Sequence, residues 1–439
     1  MLQGAKASPG TELFCLVLAL LMVGGCRPAP SSPRDSASSI EAASTAPSFR
    51  PEAIGAAFVG KPWISHVSVV DLDGDHLADV LACDDRLNAV VWLRQQSSGG
   101  FEEHVLATAL AGVVRTEAVD IDRDGDVDLL VACMGELFPN NEKIGSVVVL
   151  ENNGLQSFTK RVIASNIARV TDVRAGDLDG DGRLDLAVAQ FGYDQGEVRW
   201  MRNLGSWNFE SRTLLSLSGT INVCVADMNG DGNLDLVAVV SQQWEEIYLF
   251  ENNGRGEFTN KKVFGSTNED FGSSGISLCD LNRDGKMDIL YTNGDGFAFA
   301  DPGKRPWHGV QWLENIGNSY FRFHRIGDMA GAFSPVGVDL EGRGVMDVVC
   351  VSGFNDWKNP KSVSLAVFRN DGKMNFTLEP IAGSPTQLVT CAVGDLDGSG
   401  NPSIATGGFN AYPPFDQMSR ITLWKRSDAS STGTFPVSR

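Results

Sequence analysis

The sequence predicts an all-β fold, a seven-bladed β-propeller of four-stranded blades. The main observation is a nine-residue, aspartate-rich segment that recurs seven times, starting at residues 71, 120, 177, 227, 280, 339 and 395. Neighbouring copies therefore start 49 to 59 residues apart, a repeat length typical of propellers. Short apolar runs follow the copies, and the repeat region has no helical periodicity. We call the segments loops 1 to 7 and number the residues of each from position 1 to position 9.

Each loop is followed by segments that read as short strands and tight turns. In GDLDGDGRLDLAVAQ (176–190), the run after the aspartates is too short for a helix and is apolar throughout, which predicts a strand buried on both faces. The next strand ends near a glycine, as in VVVLENNG (147–154), and Asn-Gly favours a tight hairpin. A phenylalanine and an aliphatic residue five positions later, such as Phe101 and Leu106, close the unit.

The two ends of the chain are predicted to share the last blade. The seventh unit contains the strand ITLW (421–424) but too little chain after it for a full closing strand. Phe49 and Ile54 have the same five-residue spacing as the closing strands of the other units. We therefore predict that residues from about 48 to 55 supply the outer strand of the last blade. The competing candidate is Phe435, near the C-terminus.

The first residues of the chain predict export. Residues 1–25 have the features of a lipoprotein-type signal peptide, because Lys6 precedes an apolar run, 13–23, that is too short to span a membrane. The sequence VGGC, ending at Cys26, resembles a bacterial lipobox, in which the cysteine receives the lipid. We expect a bacterial membrane-anchored lipoprotein at the outer membrane, on its periplasmic side or at the cell surface. The alternative is a secreted protein whose ordinary signal peptide is cleaved and in which Cys26 is incidental.

Composition separates a linker from the main domain and excludes some partners. Residues 26–47 are rich in Pro, Ser and Ala and predict a tether, and residues 48–439 hold all seven units of the propeller. The net charge is −19 and the chain has no basic runs, which argues against binding to nucleic acid. Six cysteines lie in apolar strand-like runs without a CxxC pair, so we expect small buried side chains rather than a zinc site.

The repeats resemble a known family. The pattern D-x-[DN]-x-D-G-x-x-D, followed by an aliphatic strand and then N-x-G-x-x-x-F, is similar to the FG-GAP or VCBS repeat, and the resemblance extends from about residue 48 to residue 426. Such repeats form the propellers of integrin α-subunit heads and of many bacterial surface proteins. The resemblance implies a propeller fold and calcium binding. Its functional implications are broader, since these propellers serve adhesion, ligand binding and, in a few members, polysaccharide cleavage.

The loops have the residue types and spacing of calcium sites. Calcium takes six to eight oxygen ligands, which positions 1, 3, 5 and 9 would supply from side chains and position 7 from its carbonyl, while glycine at position 6 allows a sharp bend. Loop 1 has His76 in place of this glycine, and loop 7 has Ser399 and Ser403. Loop 6 has Arg343 at position 5, where we expect its guanidinium to replace the ion by pairing with Asp339 and Asp347. We predict five calcium sites, in loops 1 to 5; the alternative is a set of solvated acidic turns. The predicted ligands are Asp71, Asp73, Asp75, Asp79, Asp120, Asp122, Asp124, Asp128, Asp177, Asp179, Asp181, Asp185, Asp227, Asn229, Asp231, Asp235, Asp280, Asn282, Asp284 and Asp288.

Two further groups of residues are candidates for ligand binding. Residues of the innermost strands would cluster near the entrance of the central channel, where the alternative role is mutual charge pairing: His66, Arg115, Glu117, Asp172 and Arg174. Long insertions at 135–145, 294–309, 353–362 and 408–420 add exposed aromatic or polar residues to the rim: Trp307, His308, Trp357, Tyr412 and Phe415.

These features favour a binding protein over an enzyme. We expect a calcium-stabilised, membrane-anchored binding or adhesion module that recognises a protein or a glycan through its rim loops. The alternative is a polysaccharide-acting, lyase-like enzyme with its site at the channel mouth. The sequence contains five histidines and no Ser-His-Asp order, phosphate loop or HExxH motif, so no catalytic residue is predicted.

Overall fold

The computed structural model describes residues 49–56, 61–138, 140–297, 303–413 and 420–426. The predicted signal peptide, Cys26 and the tether lie outside the described residues, as do Phe415 and Phe435. Within the described ranges, no helix is long and apolar enough to cross a membrane.

The described residues form 28 strands in seven four-stranded antiparallel sheets, as predicted for a seven-bladed propeller. The strands of each blade are given from the innermost to the outermost. Blade 1 contains β2 (Ile64–Val70), β3 (Asp79–Asp84), β4 (Ala89–Gln95) and β5 (Phe101–Ala107). Blade 2 contains β6 (Val113–Val119), β7 (Asp128–Cys133), β8 (Gly145–Asn152) and β9 (Phe158–Ile167), and blade 3 contains β10 (Val170–Gly176), β11 (Asp185–Gln190), β12 (Glu197–Gly205) and β13 (Asn208–Leu215). Blade 4 contains β14 (Thr220–Ala226), β15 (Asp235–Val240), β16 (Glu246–Asn252) and β17 (Phe258–Gly265), and blade 5 contains β18 (Ser273–Cys279), β19 (Asp288–Asn293), β20 (Gly309–Asn315) and β21 (Phe321–Asp328). Blade 6 contains β22 (Ala332–Val338), β23 (Asp347–Ser352), β24 (Leu365–Asn370) and β25 (Phe376–Ala382), and blade 7 contains β26 (Leu388–Gly394), β27 (Ser403–Gly408), β28 (Ile421–Arg426) and β1 (Phe49–Ile54).

Blade 7 is closed by the N-terminal strand, and this prediction is confirmed. β1 pairs antiparallel with β28 over six residue pairs, from Phe49 opposite Arg426 to Ile54 opposite Ile421. Lys425 of β28 also forms an ion pair with Glu52 of β1, at 2.7 Å. The blade therefore joins residues that lie more than 360 positions apart in the sequence, which closes the ring.

Because each blade is an antiparallel meander, its connections alternate between two ends of the propeller. The seven aspartate loops connect the first strand of each blade to the second, so they lie at one end, which we call the aspartate face. The connections from the second strand to the third lie at the other end, which we call the cavity face. The four long insertions predicted at the rim are all connections of this second kind.

The hydrophobic core lies between neighbouring blades rather than within one sheet. Each of the seven clusters of buried apolar side chains combines residues from two adjacent blades. Position 2 of every loop contributes one buried side chain to these clusters: Leu72, Ile121, Leu178, Met228, Leu281, Leu340 and Leu396. Full burial of such a side chain contributes about 1.5–3 kcal/mol, so the loops also stabilise the contact between blades.

The six cysteines of the repeat region have the predicted role of small apolar side chains. Four of them are buried and two are half-buried, and all six are free thiols: Cys83, Cys133, Cys224, Cys279, Cys350 and Cys391. Burial raises the pKa of the thiol of Cys224 to about 11, which makes it a poor nucleophile at neutral pH.

Candidate functional site

The first aspartate of each loop determines the course of the turn. In loop 3, the carboxylate of Asp177 accepts hydrogen bonds from the backbone N–H groups of Asp181, at 3.1 Å, and Gly182, at 2.9 Å. The first aspartates of the other six loops accept the corresponding pair of bonds from positions 5 and 6: Asp71, Asp120, Asp227, Asp280, Asp339 and Asp395. Backbone N–H groups of the protein therefore shape the turn in all seven copies, including loops 6 and 7, which lack an aspartate at position 5.

The last aspartate of loops 1 to 6 is fully buried and connects the loop to the third strand. The carboxylate of Asp185 accepts hydrogen bonds from the backbone N–H of Leu178 at 3.3 Å, from that of Asn203 at 2.7 Å, and from Trp200 Nε1 at 3.1 Å. Burial raises the pKa of the Asp185 carboxyl to about 6. The equivalent residues also accept a backbone N–H from the third strand of their blade: Asp79, Asp128, Asp235, Asp288 and Asp347.

The side-chain oxygen atoms that the loops offer are of the kind that calcium takes as ligands. In each of loops 1, 2 and 3, oxygen atoms from three carboxylates lie within 4.8 Å of one another. The three carboxylates are Asp71, Asp73 and Asp79 in loop 1, Asp120, Asp122 and Asp128 in loop 2, and Asp177, Asp179 and Asp181 in loop 3. Loops 4 and 5 substitute the amide oxygens of Asn229 and Asn282 at position 3. His76 adopts a positive φ of 68°, so it completes the bend of loop 1 in the place of glycine.

In loop 6 the structure corrects one predicted ion pair. Arg343, at position 5, was expected to pair with Asp339 and Asp347. Its guanidinium lies 3.4 Å from Asp347 and 2.5 Å from Glu341, whereas the carboxylate of Asp339 pairs with Arg283 of the preceding blade at 3.3 Å. The carboxylate of Asp339 is thus engaged by Arg283 and by two backbone N–H groups of its own turn.

At the other end of the channel, the cavity face contains a cavity of about 440 Å³. Its floor is formed by the first residues of the inner strands, including Ser65, Thr171 and Ser274. These three hydroxyls donate hydrogen bonds to the first inner-strand carbonyl of the next blade, at 2.6 to 2.9 Å. Its walls are formed by the connections from second to third strands, so the two predicted regions, channel mouth and rim loops, meet in one cavity.

Several residues predicted to line the channel connect neighbouring blades. His66 Nδ1 accepts a hydrogen bond from the backbone N–H of Thr116 in blade 2, at 3.4 Å. Asp172 accepts the equivalent N–H of Val223 in blade 4, at 3.3 Å. Asn222, Ser334 and Thr390 occupy the same position in their blades and accept the corresponding bond from the next blade. These side chains therefore have a structural role in the ring.

The structure brings the five predicted channel residues together, and their charges pair with one another. Asp172 is fully buried between Arg115, at 3.3 Å, and Arg174, at 3.1 Å. Arg174 also lies 3.8 Å from Glu117, whose carboxylate accepts the backbone N–H of Ala175. Burial, together with these two arginines, holds the pKa of His66 well below its ordinary value. The cluster is thus a set of neutralised charges beneath the cavity.

Aromatic side chains from five blades form the walls of the cavity. Phe297 of blade 5 reaches Phe409 and Tyr412 of blade 7, with ring centroids 5.8 Å and 6.2 Å apart. Phe138 of blade 2 also lines the cavity, and it contacts Trp63 edge to face at 5.9 Å, while Trp63 stacks on Phe409 at 5.0 Å. Further rings complete the lining: Phe191, Tyr193 and Phe333. Phe138 and Phe297 are 40% and 38% exposed, so these rings are accessible to a ligand.

A buried arginine holds one wall in place. Arg169 donates through Nη1 to the carbonyl of Phe138 at 2.9 Å and to those of the two preceding residues. Its guanidinium carbon lies 4.9 Å and 5.5 Å from the ring centroids of Phe191 and Tyr193. One side chain therefore positions three of the aromatic rings that line the cavity.

Two carboxyl groups with raised pKa values lie near the cavity in blades 4 and 5. The backbone N–H and the hydroxyl of Ser273 both donate to the buried carboxylate of Glu245, and Tyr291 donates in turn to the Ser273 hydroxyl. Burial raises the pKa of Glu245 to about 7, and the nearby Asp295 acts in the same direction. Asp295 lines the cavity, and its own pKa is raised by burial to about 6.

The predicted rim residues are only partly brought to the cavity. Tyr412 lines it, but Trp307 uses its Nε1 to donate to the carbonyl of Asp270 at 2.9 Å. The expectation that His308 is exposed is wrong, because it is 1% exposed and its Nδ1 accepts the backbone N–H of Gly331 at 3.1 Å. Trp357 is half-buried in the connection between β23 and β24.

Three of the four predicted insertions contribute residues to the cavity, the exception being 353–362, but most of the cavity residues within them were not predicted. Phe138, Phe297 and Phe409 lie in the predicted insertions, close after the second strands of blades 2, 5 and 7. Phe191 follows the second strand of blade 3 directly. An aromatic residue shortly after the second strand of a repeat was thus the available signal.

Comparisons with known proteins agree with this architecture. A family profile described as FG-GAP-like repeat matches residues 71–131, 136–188, 177–238 and 227–291. No curated protein sequence matches the chain significantly.

Among solved structures, a crystal structure of BBS1N in complex with ARL6DN, soaked with lead, has a TM-score of 0.52 at 10% identity and covers 87% of this chain and 97% of that chain. A second structure of the same complex, soaked with mercury, has a TM-score of 0.50 at 10% identity and covers 85% and 95%. At this identity the similarity concerns the fold alone. From its matched repeats and its seven blades, the chain belongs to the FG-GAP repeat family of β-propellers.

Proposed function

We propose that this protein is a non-catalytic binding module that holds an uncharged saccharide in the cavity at the channel mouth. The observation that carries the proposal is the combination of aromatic walls with a floor of hydroxyl and amide groups. Ligand sites of this kind are mostly apolar, with a few polar groups that orient the ligand. The volume of about 440 Å³ lies within the range of small-ligand pockets.

The charges around the cavity favour an uncharged ligand over an anionic one. Arg115, which lines the cavity, pairs with Asp172, and Arg174 pairs with both Asp172 and Glu117. Arg169 is engaged by three carbonyls and two rings. A saccharide presents apolar C–H faces to aromatic rings and hydroxyl groups to polar side chains, and it needs no counter-charge.

Calcium and a lipid anchor complete the proposal. Calcium would be held at positions 1, 3 and 5 of the aspartate loops and would neutralise their carboxylates. Cys26 would carry the lipid, so that the propeller stands away from a bacterial membrane on the tether of residues 26–47. The aspartate loops and the cavity lie at opposite ends of the propeller, which gives the loops a stabilising role and the cavity a binding role.

We expect the double substitution Phe138→Ala and Phe297→Ala to weaken saccharide binding by about one order of magnitude. Each exposed ring contributes about 0.5–1.5 kcal/mol of contact, and about 1.4 kcal/mol corresponds to a factor of ten. Binding would be measured on a glycan array and then by calorimetry on the glycans that bind. Tyr320→Ala is the matched control, because this residue is an equally large ring, 62% exposed, on the aspartate face; it should bind as the wild type does.

Two outcomes would contradict the binding proposal. If the wild-type protein shortens polysaccharides in the same panel, and the double variant does not, the module is an enzyme. If the protein binds no glycan but captures a protein partner whose binding survives the double substitution, the cavity is not the recognition site.

Removal of calcium is expected to lower the melting temperature. A site filled at a hundredfold excess over its dissociation constant stabilises the folded state by about 2.7 kcal/mol. Melting would be followed by circular dichroism in chelator, after restoring calcium, and after adding magnesium as the control, since magnesium prefers a smaller octahedral site. Equal melting temperatures with and without calcium would contradict the proposed role of the loops.

A further inference from the structure

The residue of the third strand that faces each aspartate loop differs between blades. In blades 1 to 6 it directly precedes the residue whose N–H binds the last aspartate of the loop, so its place is equivalent in these six blades. Blades 1, 3 and 6 have an arginine there, and blades 2, 4 and 5 have a glutamate: Arg94, Arg202 and Arg369, then Glu151, Glu251 and Glu314.

In blades 1 and 3 this arginine reaches the carboxylates that were predicted to bind calcium. Arg94 Nε lies 2.5 Å from Asp73, at position 3, and its Nη2 lies 3.1 Å from Asp75, at position 5. Arg202 repeats the arrangement in loop 3, with Nε 2.5 Å from position 3 and Nη2 3.6 Å from position 5. The guanidinium thus lies where a cation shared by positions 3 and 5 would have to lie.

Burial of the position 3 carboxylate agrees with this arrangement. The side chains of Asp73 and Asp179 are only 7% and 5% exposed, because an arginine covers each of them. The equivalent Asp122 of loop 2, which has no arginine above it, is exposed. Loop 3 has a second internal cation, since Arg183 at position 7 also pairs with Asp181.

Loops 2, 4 and 5 have no such arginine facing them on the third strand. In blades 2 and 5 the glutamate pairs outward, Glu151 with Arg161 and Glu314 with Arg322. Across the described residues, no lysine or arginine forms an ion pair with positions 1, 3 or 5 of loops 2 and 4, and loop 5 has only Lys286 beside Asp284. The carboxylates of loops 2 and 4 therefore repel one another without a resident positive charge.

We propose that Arg94 and Arg202 are the resident cations of loops 1 and 3, and that calcium binds only in loops 2, 4 and 5. This inference rests on the calcium role proposed above and refines it, from five sites to three. It also reverses the ranking expected from the aspartate pattern, because loop 3 has a complete set of aspartates and is nevertheless satisfied by arginine. A guanidinium and a divalent cation compete for the same oxygens, and the covalently attached cation pays no entropy of association.

The test is the number of calcium ions bound to the purified protein, counted by native mass spectrometry during a calcium titration from the chelated state. We expect three for the wild type, four for Arg202→Gln, and five when Arg94→Gln is added. Glu251→Arg, which places an arginine above loop 4, should reduce the number to two. Arg199→Gln is the matched control: Arg199 lies on the same strand as Arg202 but pairs with Glu197, so the count should stay at three.

The outcomes separate this inference from the calcium proposal itself. Five ions on the wild type, or an unchanged count in both Arg202→Gln and Glu251→Arg, would overturn the inference while leaving calcium binding intact. No calcium on any variant would overturn the calcium proposal. If Arg202→Gln fails to fold, the loss of one ion in Glu251→Arg still decides the question.

Discussion

Replacing Asp185 with alanine is expected to destabilise the propeller by about 3 kcal/mol, although the residue is only one of the twenty predicted calcium ligands. Its carboxylate is the acceptor for three buried donors, on Leu178, Trp200 and Asn203. A buried donor that loses its partner costs about 1–3 kcal/mol, and the relief of a buried charge offsets part of the sum. The unfolding free energy would be measured by urea denaturation at pH 7 in chelator, so that any contribution of calcium is removed.

Asp181→Ala in the same loop is the matched control. Asp181 is partly exposed and pairs with Arg183 and Arg202, and surface pairs of this kind contribute about 0–1 kcal/mol. Asp185→Asn should fall between the two, because the amide oxygen still accepts hydrogen bonds from the N–H groups. Equal losses for Asp185→Ala and Asp181→Ala would show that the buried hydrogen bonds are not the main contribution of this loop.

The stability of the wild type should fall by about 3 kcal/mol relative to Glu245→Gln between pH 5 and pH 8. Burial raises the pKa of Glu245 to about 7, from an ordinary value of 4.5. The folded state therefore holds a proton that the unfolded state has already released at pH 5, so stability declines as the pH rises from about 4.5 to about 7 and is constant above that. Each pH unit in this window is worth about 1.4 kcal/mol. The glutamine keeps an acceptor for Ser273 and does not titrate.

Glu246→Gln is the control for the pH experiment. It makes the same change of charge one residue away, but Glu246 is half-buried and pairs with Lys262 at 2.8 Å. Loss of this ion pair should lower the unfolding free energy by a similar small amount at every pH tested. Denaturant titrations at pH 5, 6, 7 and 8 would give the difference curves. Parallel curves for the wild type and Glu245→Gln would mean that Glu245 ionises normally in the folded protein.

Most of the architecture could be predicted because a propeller is built from local repeats. Position 2 of each loop is apolar and position 9 is an aspartate in six copies, and these residues connect a loop to the strands of its own blade and to the next blade. Ring closure was also predictable, since Phe49 and Ile54, near the N-terminus, have the five-residue spacing of the outer strands.

The cavity could be predicted only in outline. The insertions that form its walls stand out in the sequence, but Phe297 and Phe409 come from blades 5 and 7 and meet only because the ring closes. His66 and Asp172 looked like ligand residues because their hydrogen bonds join neighbouring blades. Their partners Thr116 and Val223 lie about 50 positions further along the chain, and no local pattern indicates that bond.

The sequence alone determined the seven blades, the strand that closes them and the oxygen-rich character of the loops, because each of these is marked by a short local pattern of residues. Only the tertiary structure decided which charges are already satisfied. Arg202 is separated from Asp179 by a strand and a turn, and the hairpin brings its guanidinium onto the loop. Electrostatic compensation depends on distance in space, and here that distance is set by the pairing of strands.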